Sequence, residues 1–562
     1  MKNTRSMLLP LVATGVLGAV QAVSAAGGAT TAAANAPAAG PGAANGAQRM
    51  NVLFILVDDL KPILGCYGDK TAITPNIDAL AARGTVFRQN YCQVAVSGPT
   101  RVSMLTGLRP DNNQVWTMPC PMRGRYPGIV SMPGYFRGLG YHTVGMGKVF
   151  DTRTVEDYDR QDSWTEFLNE GDYYNPNYEK PSGGYMLPET KAAQAQAVKE
   201  ALAKGLKSTD RAYRQYVNGH ASPSTECADV PDDAYMDGAL AKLAVATIGK
   251  LAADAKNGEP FFLAVGFRKP HLPFVAPKKY WDMYDREKVP LAEFTVKPKD
   301  APEVAFSDYI EIRDYSDIPP LYTFSDNYNN NGIIDIAKQK ELLHGYYACT
   351  SYSDAMVGQV LKALKDNGED KNTVIVLIGD NGWHLGDHGL WAKNTNFEQA
   401  THVPLIISDP RIAGSVSNNV TEFVDIFPTI CSMAGVPMAP HLDGIDLTPV
   451  MRDPSKATKD VSVSQFPREN GVMGYSLRDN RYRYTVWFDH NYRTTLLYDE
   501  KYVVGRELYD YQKDPLETVN HADDKAYAAV RKLMQERLMQ VIADENEKAK
   551  YFNTQRKPRL VL

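Results

Sequence analysis

Neither sign of charge dominates this chain of 562 residues: 61 basic and 66 acidic side chains leave a formal net charge of −5. A chain so balanced has no general attraction for nucleic acid, so any anion it binds must meet a local concentration of cations. Cysteine is scarce as well. The six present, Cys66, Cys92, Cys120, Cys227, Cys349 and Cys431, are scattered without metal-type spacing, and their positions fix no pairing. Cys92 lies near a motif described below but lacks its context, and reads as a packed core cysteine. The apolar run Met7 to Val20 is short for a membrane span and diluted by Gly and Ala, which speaks against a retained anchor.

With Lys2 and Arg5 ahead of it and Val23-Ser24-Ala25 behind it, that run reads as a secretory signal over residues 1–25. No cysteine follows the expected cut, which argues against a lipoprotein. Residues 26–48 are nearly all small or polar and read as a disordered tether. The expected location of the mature chain is the periplasm or the cell exterior. The remaining length exceeds what one core holds, so two domains are expected, over 49–440 and 441–562.

Short, apolar, β-branched runs at Asn51–Val57, Tyr141–Met146, Phe261–Phe267, Thr373–Gly379 and Val403–Ser408 read as buried parallel strands. Helical patterns lie between them, as at Asn76–Arg83 and Ala234–Ala255. The alternation predicts an α/β fold, a doubly wound and mostly parallel sheet flanked by helices. Beyond about Pro440 short strand patterns and a helix over Lys525–Glu545 predict a smaller C-terminal α+β subdomain with an antiparallel sheet. Residues 152–232 show no periodicity that demands a core, and 301–335 read as a long Pro- and Asn-rich loop.

Ligands of doubly wound sheets bind beyond the C-terminal strand ends, and the unusual polar residues of this chain stand there. Asn51–Val57 runs into Asp58-Asp59, and Thr373–Gly379 into Asp380-Asn381. Adjacent carboxylates repel unless a cation neutralises them. The two pairs offer hard oxygen donors without sulfur or imidazole, which favours Ca²⁺, with Mg²⁺ second, over zinc. Lys148 follows the second strand, Arg268-Lys269-Pro270-His271 the third, and Trp383, His384 and Lys393 follow Asn381. Lys148, His271, Lys393 and Arg101 could together surround an oxyanion and stabilise charge developing in a transition state.

The segment Ser97-Gly98-Pro99-Thr100-Arg101, followed by Leu105-Thr106-Gly107, places a small nucleophile just before a proline that opens a short amphipathic helix. The helix start turns free backbone donors toward an anion beside Ser97, and Arg101 can return to the serine. This motif resembles the signature of the sulfatase family, formylglycine-dependent enzymes of the alkaline phosphatase-like superfamily. Longer stretches around Asn51–Leu60, Gly147-Lys148-Val149-Phe150, Phe261–Phe274, Asp380–Lys393, Ala400–Ile406 and Met473–Trp487 are similar to the iduronate-2-sulfatase subgroup and its bacterial relatives.

The resemblance implies a sulfuric ester hydrolase that removes sulfate from a sulfated carbohydrate. It implies Asp58, Asp59, Asp380 and Asn381 as calcium ligands with residue 97 as the fifth, formylglycine made from Ser97, Arg101 holding that group, and Lys148, His271 and Lys393 on sulfate. His271 or Lys393 would protonate the departing sugar oxygen. Trp383, His384 and Arg478 are candidate sugar contacts. Serine at position 97 implies a maturing enzyme that acts before export. The chain departs from the pattern where relatives carry a histidine just after the lysine matching Lys148; Phe150 and Asp151 stand there, and Asp151 or another group would take its place. Asn381 stands where close relatives often have histidine. A phosphatase or phosphonate-ester hydrolase on the same fold, and an inactive sulfoglycan-binding paralogue, are the alternatives.

Overall fold

A computed structural model describes residues 49–169, 184–308, 311–319, 334–494 and 498–557. The expected signal and tether, 1–48, lie outside them, as do parts of the stretches 152–232 and 301–335.

Asn51–Val57 is a wholly buried strand between Phe261–Phe267 and Thr373–Gly379, parallel to both. Its alternate residues serve two cores. Leu53, Ile55 and Val57 join the apolar layer containing Leu342, Tyr346 and Leu240. Val52, Phe54 and Leu56 join the opposite layer with Val102, Leu105, Phe427 and Ile430. Period-two alternation on a strand buried on both faces is what a doubly wound sheet requires. Helices Met236–Ala255 and Ile336–Asp366 cover one face; Ser97–Thr106 and Ile426–Ala434 cover the other.

Among the described residues the sheet has eight strands, in the spatial order Ser415–Glu422, Thr85–Tyr91, Leu405–Ser408, Thr373–Gly379, Asn51–Val57, Phe261–Phe267, His142–Gly147, Glu166–Leu168. One expectation is corrected. Leu405–Ser408 pairs antiparallel with both neighbours, because the chain leaves Thr373–Gly379 through the loop 380–402 and returns from the same sheet end without a crossover helix. The strands Thr85–Tyr91 and Ser415–Glu422 were not foreseen: Arg88 is exposed within the first, and the second is a largely polar edge strand. The helix Ser97–Thr106 is not amphipathic, since all ten of its residues are buried.

In the C-terminal part, Ser462–Pro467, Val472–Arg478, Tyr482–Asp489 and Val503–Asp510 form an antiparallel sheet. Met534, Leu538 and Ile542 of the helix Ala528–Phe552 share a core with Tyr475, Leu477, Tyr484 and Val486 of that sheet. The sheet leans on the rest through Gln465, whose amide nitrogen donates to the Gln93 carbonyl at 2.7 Å. A buried charge cluster also crosses over. Arg109 Nη2 meets Glu422 Oε1 at 2.5 Å and Arg109 Nη1 meets Glu545 Oε1 at 2.8 Å. Removing one member of a buried ion group leaves the others uncompensated, so Arg109→Ala is expected to lower unfolding free energy by about 3–5 kcal/mol. Urea unfolding measures it, and a loss below about 1 kcal/mol would contradict the pairing.

The segments 301–308 and 311–319 are irregular, as expected, but not solvated. Ala305, Phe306, Ile312 and Ile318 are buried in the larger apolar layer. No helix among the described residues is long and apolar enough to cross a membrane.

Candidate active site

Five segments deliver polar side chains to one hollow at the C-terminal end of the sheet. Asp58 follows Asn51–Val57 directly; Asp59 adopts φ 58°, a left-handed conformation that aspartate tolerates better than most residues. Two glycines allow Lys148 its place. Gly147 has φ +67°, and a Cβ there would stand 2.4 Å from the Gly266 carbonyl; a Cβ on Gly266 would meet the Lys148 carbonyl at 2.1 Å. The strands can approach this closely, and the Lys148 amide donates to the Gly266 carbonyl at 2.8 Å, only because neither residue carries a side chain.

Asp58 is the hub. Its Oδ1 accepts from Ser97 Oγ at 3.1 Å and from Arg101 Nη2 at 2.9 Å, while Oδ2 meets Lys148 Nζ at 2.5 Å. Lys148 Nζ is also 3.5 Å from Ser97 Oγ. Arg101, fully buried, donates from Nε to Asp380 Oδ2 at 2.9 Å and from Nη1 to the carbonyls of Lys148 and Val149. None of these bonds goes to Ser97, so Arg101 acts on residue 97 through the carboxylates it locks rather than by returning to the serine. Asp59 Oδ1 accepts from Lys393 Nζ at 2.5 Å and from Asn381 Nδ2 at 2.8 Å, and the Asp59 amide donates to Asp380 Oδ1 at 2.9 Å.

Lys393 is aimed by a strained backbone. Its neighbours Ala392 and Asn394 have φ of 85° and 72°, and such strain persists where surrounding structure holds it. Arg468, from the C-terminal sheet, supplies that hold: it donates to the carbonyls of Asn394, Val304 and Ala305, each at 2.8 Å. His271 Nδ1 lies 2.6 Å from the Leu272 carbonyl, which can only accept, so Nδ1 carries a proton and Nε2 faces Asp59 Oδ2 at 3.7 Å.

The electrostatics are those of a crowded acidic centre ringed by cations. Burial opposes the charge of Asp58, yet Lys148, His271, Arg101 and Lys393 hold its carboxyl well below the usual range. Burial raises Asp59 despite Lys393, and raises Asp380 to about 6 despite Arg101. Burial also works against the Lys393 ammonium, but Asp59 and Glu311 keep its pKa above that of an ordinary lysine. Buried His271, with Lys393 and Lys148 nearby, drops to about 4 against the pull of Asp58.

Carboxylate oxygens of Asp58, Asp59 and Asp380 all lie within 4.8 Å of one another. Asp59 Oδ2 and Asn381 Oδ1 are buried and have no hydrogen-bond partner among the described residues. Orphaned hard oxygens beside converging carboxylates are what a Ca²⁺- or Mg²⁺-type cation satisfies; the donor set fits such an ion.

The remaining sequence candidates do not open into the hollow as free side chains. Trp383 and His384 are completely buried, so neither offers a face to a sugar here. Trp383 carries Lys393 Nζ 5.0 Å above its ring, and His384 Nε2 bonds Thr395 Oγ1 at 2.9 Å. Arg478 stacks on Tyr511 at 3.9 Å and pairs with Glu398 at 3.2 Å, in a separate cluster with Arg483. Asp151 is closed off by Arg153, whose Nε and Nη2 meet it at 2.8 and 2.6 Å; it is not a free substitute for the histidine missing after Lys148. Glu311 was not anticipated. Its Oε2 lies 3.2 Å from Lys393 Nζ. The only hint in the sequence was an acid set between Ile310 and Ile312 in a segment otherwise read as loop.

A doubly wound sheet with acidic strand ends, a nucleophile-bearing helix start and a ring of cations defines the alkaline phosphatase-like class of ester hydrolases. The solved phosphonate monoester hydrolase of Agrobacterium radiobacter matches with a TM-score of 0.65 and 25% identity, covering 88% of this chain and 96% of that one. The family model for sulfatases matches residues 50–436, and a model for the N-sulphoglucosamine sulphohydrolase C-terminal region matches 386–544. Human iduronate 2-sulfatase is 31% identical over 538 residues, 84% of this chain and 91% of the relative. The Δ4,5-hexuronate-2-O-sulfatase of Bacteroides thetaiotaomicron is 24% identical over 506 residues, 87% and 88% of the two chains. The chain belongs to the sulfatase family, and it is a sulfuric ester hydrolase.

Proposed function

We propose that this enzyme removes sulfate from a sulfated glycan, with formylglycine made from Ser97 and one calcium ion held by Asp58, Asp59, Asp380 and Asn381. The observation that carries the reading is the position of Ser97. Its Oγ is 3.1 Å from Asp58 and 3.5 Å from Lys148, at the edge of the three-carboxylate cluster that also holds the orphaned Asp59 oxygen. The similarity to iduronate 2-sulfatase supports a sugar sulfate as substrate.

A hydrated aldehyde at position 97 would supply what serine lacks, a second hydroxyl through which the sulfated side chain can expel sulfate; a cation held by Asp58, Asp59, Asp380 and Asn381 would supply Lewis acidity toward the attacking hydroxyl. The chain's own residues do the rest. Arg101 locks Asp58 and Asp380 so that their oxygens face inward. Lys148 and Lys393 bring fixed positive charge to the sulfate oxygens, where charge grows in the transition state. The Lys393 ammonium delivers the proton to the departing sugar oxygen; His271, whose Nδ1 holds its proton against the Leu272 carbonyl, can do so from Nε2 only in the doubly protonated form. Because Asp151 is engaged by Arg153, proton removal from the sulfated intermediate falls to solvent. The reading also includes a maturing enzyme that meets Ser97 before export, and a periplasmic or secreted product.

The test is sulfate release from sulfated mono- and disaccharides by protein made with a radical maturase. Release of phosphate or phosphonate esters alone would favour the sister activity, and no release of any sulfate by verified formylglycine protein would refute the reading. Cation removal gives an independent check. Calcium at 100 times its dissociation constant should stabilise the fold by about 2.7 kcal/mol, so EGTA lowers Tm and added calcium restores it. A Tm indifferent to both would contradict the assigned ligands.

A further inference from the structure

Glu311 sits beside the two groups assigned to the leaving oxygen, and the mechanism above makes no use of it. Its Oε2 is 3.2 Å from Lys393 Nζ and 3.9 Å from His271 Nε2. That oxygen is buried; the Lys393 ammonium faces it as a counter-ion without completing a hydrogen bond, and among the described residues no other donor bonds to it. The rest of the side chain is a quarter exposed, so it stands at the wall of the hollow rather than in the core. Lys393 does not need it as a sole counter-ion, since Asp59 already holds that ammonium at 2.5 Å. A shielded carboxylate oxygen that completes no hydrogen bond is unfavourable, and a ligand that brings a well-placed donor relieves it.

We propose that Glu311 is a specificity-determining residue that accepts a hydrogen bond from the sugar hydroxyl on the carbon next to the sulfate ester. The proposal rests on the reading of Lys393 and His271 as the groups that meet sulfate and the bridging oxygen. The sugar carbon bonded to that oxygen then lies beside Glu311, and the nearest polar group on the ring is the hydroxyl one carbon away. An ionised carboxylate only accepts, so the partner is a donor. A second anionic substituent at that carbon, such as a vicinal sulfate, would face a like charge and be rejected. The substrate class is therefore a pyranose sulfate with a free hydroxyl adjacent to the ester.

The test is a cycle that removes the residue and the hydroxyl separately. The probes are a methyl uronopyranoside 2-sulfate and its 3-deoxy analogue, with 4-nitrophenyl sulfate as a check that the enzyme carries a working site. Wild-type enzyme should favour the hydroxylated probe in kcat/KM by about 10- to 100-fold, the range expected when a buried charged acceptor loses its donor. In Glu311→Ala that ratio should fall to about one, whatever the variant loses in absolute rate through Lys393. Glu311→Gln, of the same shape, should give an intermediate ratio and decides the matter if the alanine protein is too slow to assay. A ratio equal to wild type in both variants overturns the proposal, as does a wild-type ratio near one. Wild-type enzyme that splits the aryl sulfate but neither pyranoside would instead contradict the proposed glycan substrate.

Discussion

Replacing Lys393 by alanine is expected to lower kcat/KM for a sulfate ester by about 100- to 1,000-fold, the effect of deleting one preorganised group that meets developing charge. Lys393 is almost fully buried, pairs with Asp59, and lies over Trp383. Its ammonium is held in one place by a backbone turned left-handed on both sides. Among the described residues no other cation contacts Asp59 Oδ1. The variant also leaves Asp59 and Glu311 without their cation, and a lower Tm accompanies the loss. Lys393→Met separates the effects, because it keeps the stem that packs on Trp383 while removing the charge. A methionine variant of wild-type stability and wild-type kcat/KM would remove Lys393 from the catalytic ring.

Asp380→Asn is expected to abolish the calcium-dependent rise in Tm and to reduce turnover by at least about 1,000-fold, since a hard cation site losing one of its charged oxygens loses affinity steeply. The change should act differently on the cation-free protein. Burial, together with the charges of Asp58 and Asp59, raises the pKa of Asp380 to about 6 against the pull of Arg101. Making the side chain neutral relieves that repulsion while giving up the 2.9 Å pair with Arg101. The cation-free Tm therefore moves little compared with the calcium response. A variant that still gains stability from calcium as wild type does would show that the ion is held elsewhere.

Much of this arrangement could be read along the chain because chemistry and secondary structure coincide. Each of Asp58, Lys148, His271 and Asp380 stands just past an uninterrupted apolar strand, and in the folded sheet those ends point the same way. Ser97 and Arg101 were legible for another reason, as a proline-opened helix start. The antiparallel course of Leu405–Ser408 was not, since a buried strand has the same apolar pattern in either direction and only a return without a crossover helix decides it. Trp383, His384 and Arg478 looked like ligand contacts because aromatic and cationic residues near a site could equally be its packing; burial, which only the fold supplies, shows the first two to be packing. Glu311 was hidden because its partners, Lys393 and His271, are 82 and 40 residues away and its own segment has no period.

The central claim is that residue 97 of the active enzyme is an aldehyde set against a carboxylate-bound cation. Peptide mass spectrometry of protein purified with sulfatase activity tests this most directly. The peptide containing residue 97 should weigh about two mass units less than its serine form, through loss of two hydrogens on oxidation. Fully active enzyme whose peptide carries unmodified Ser97 would contradict it.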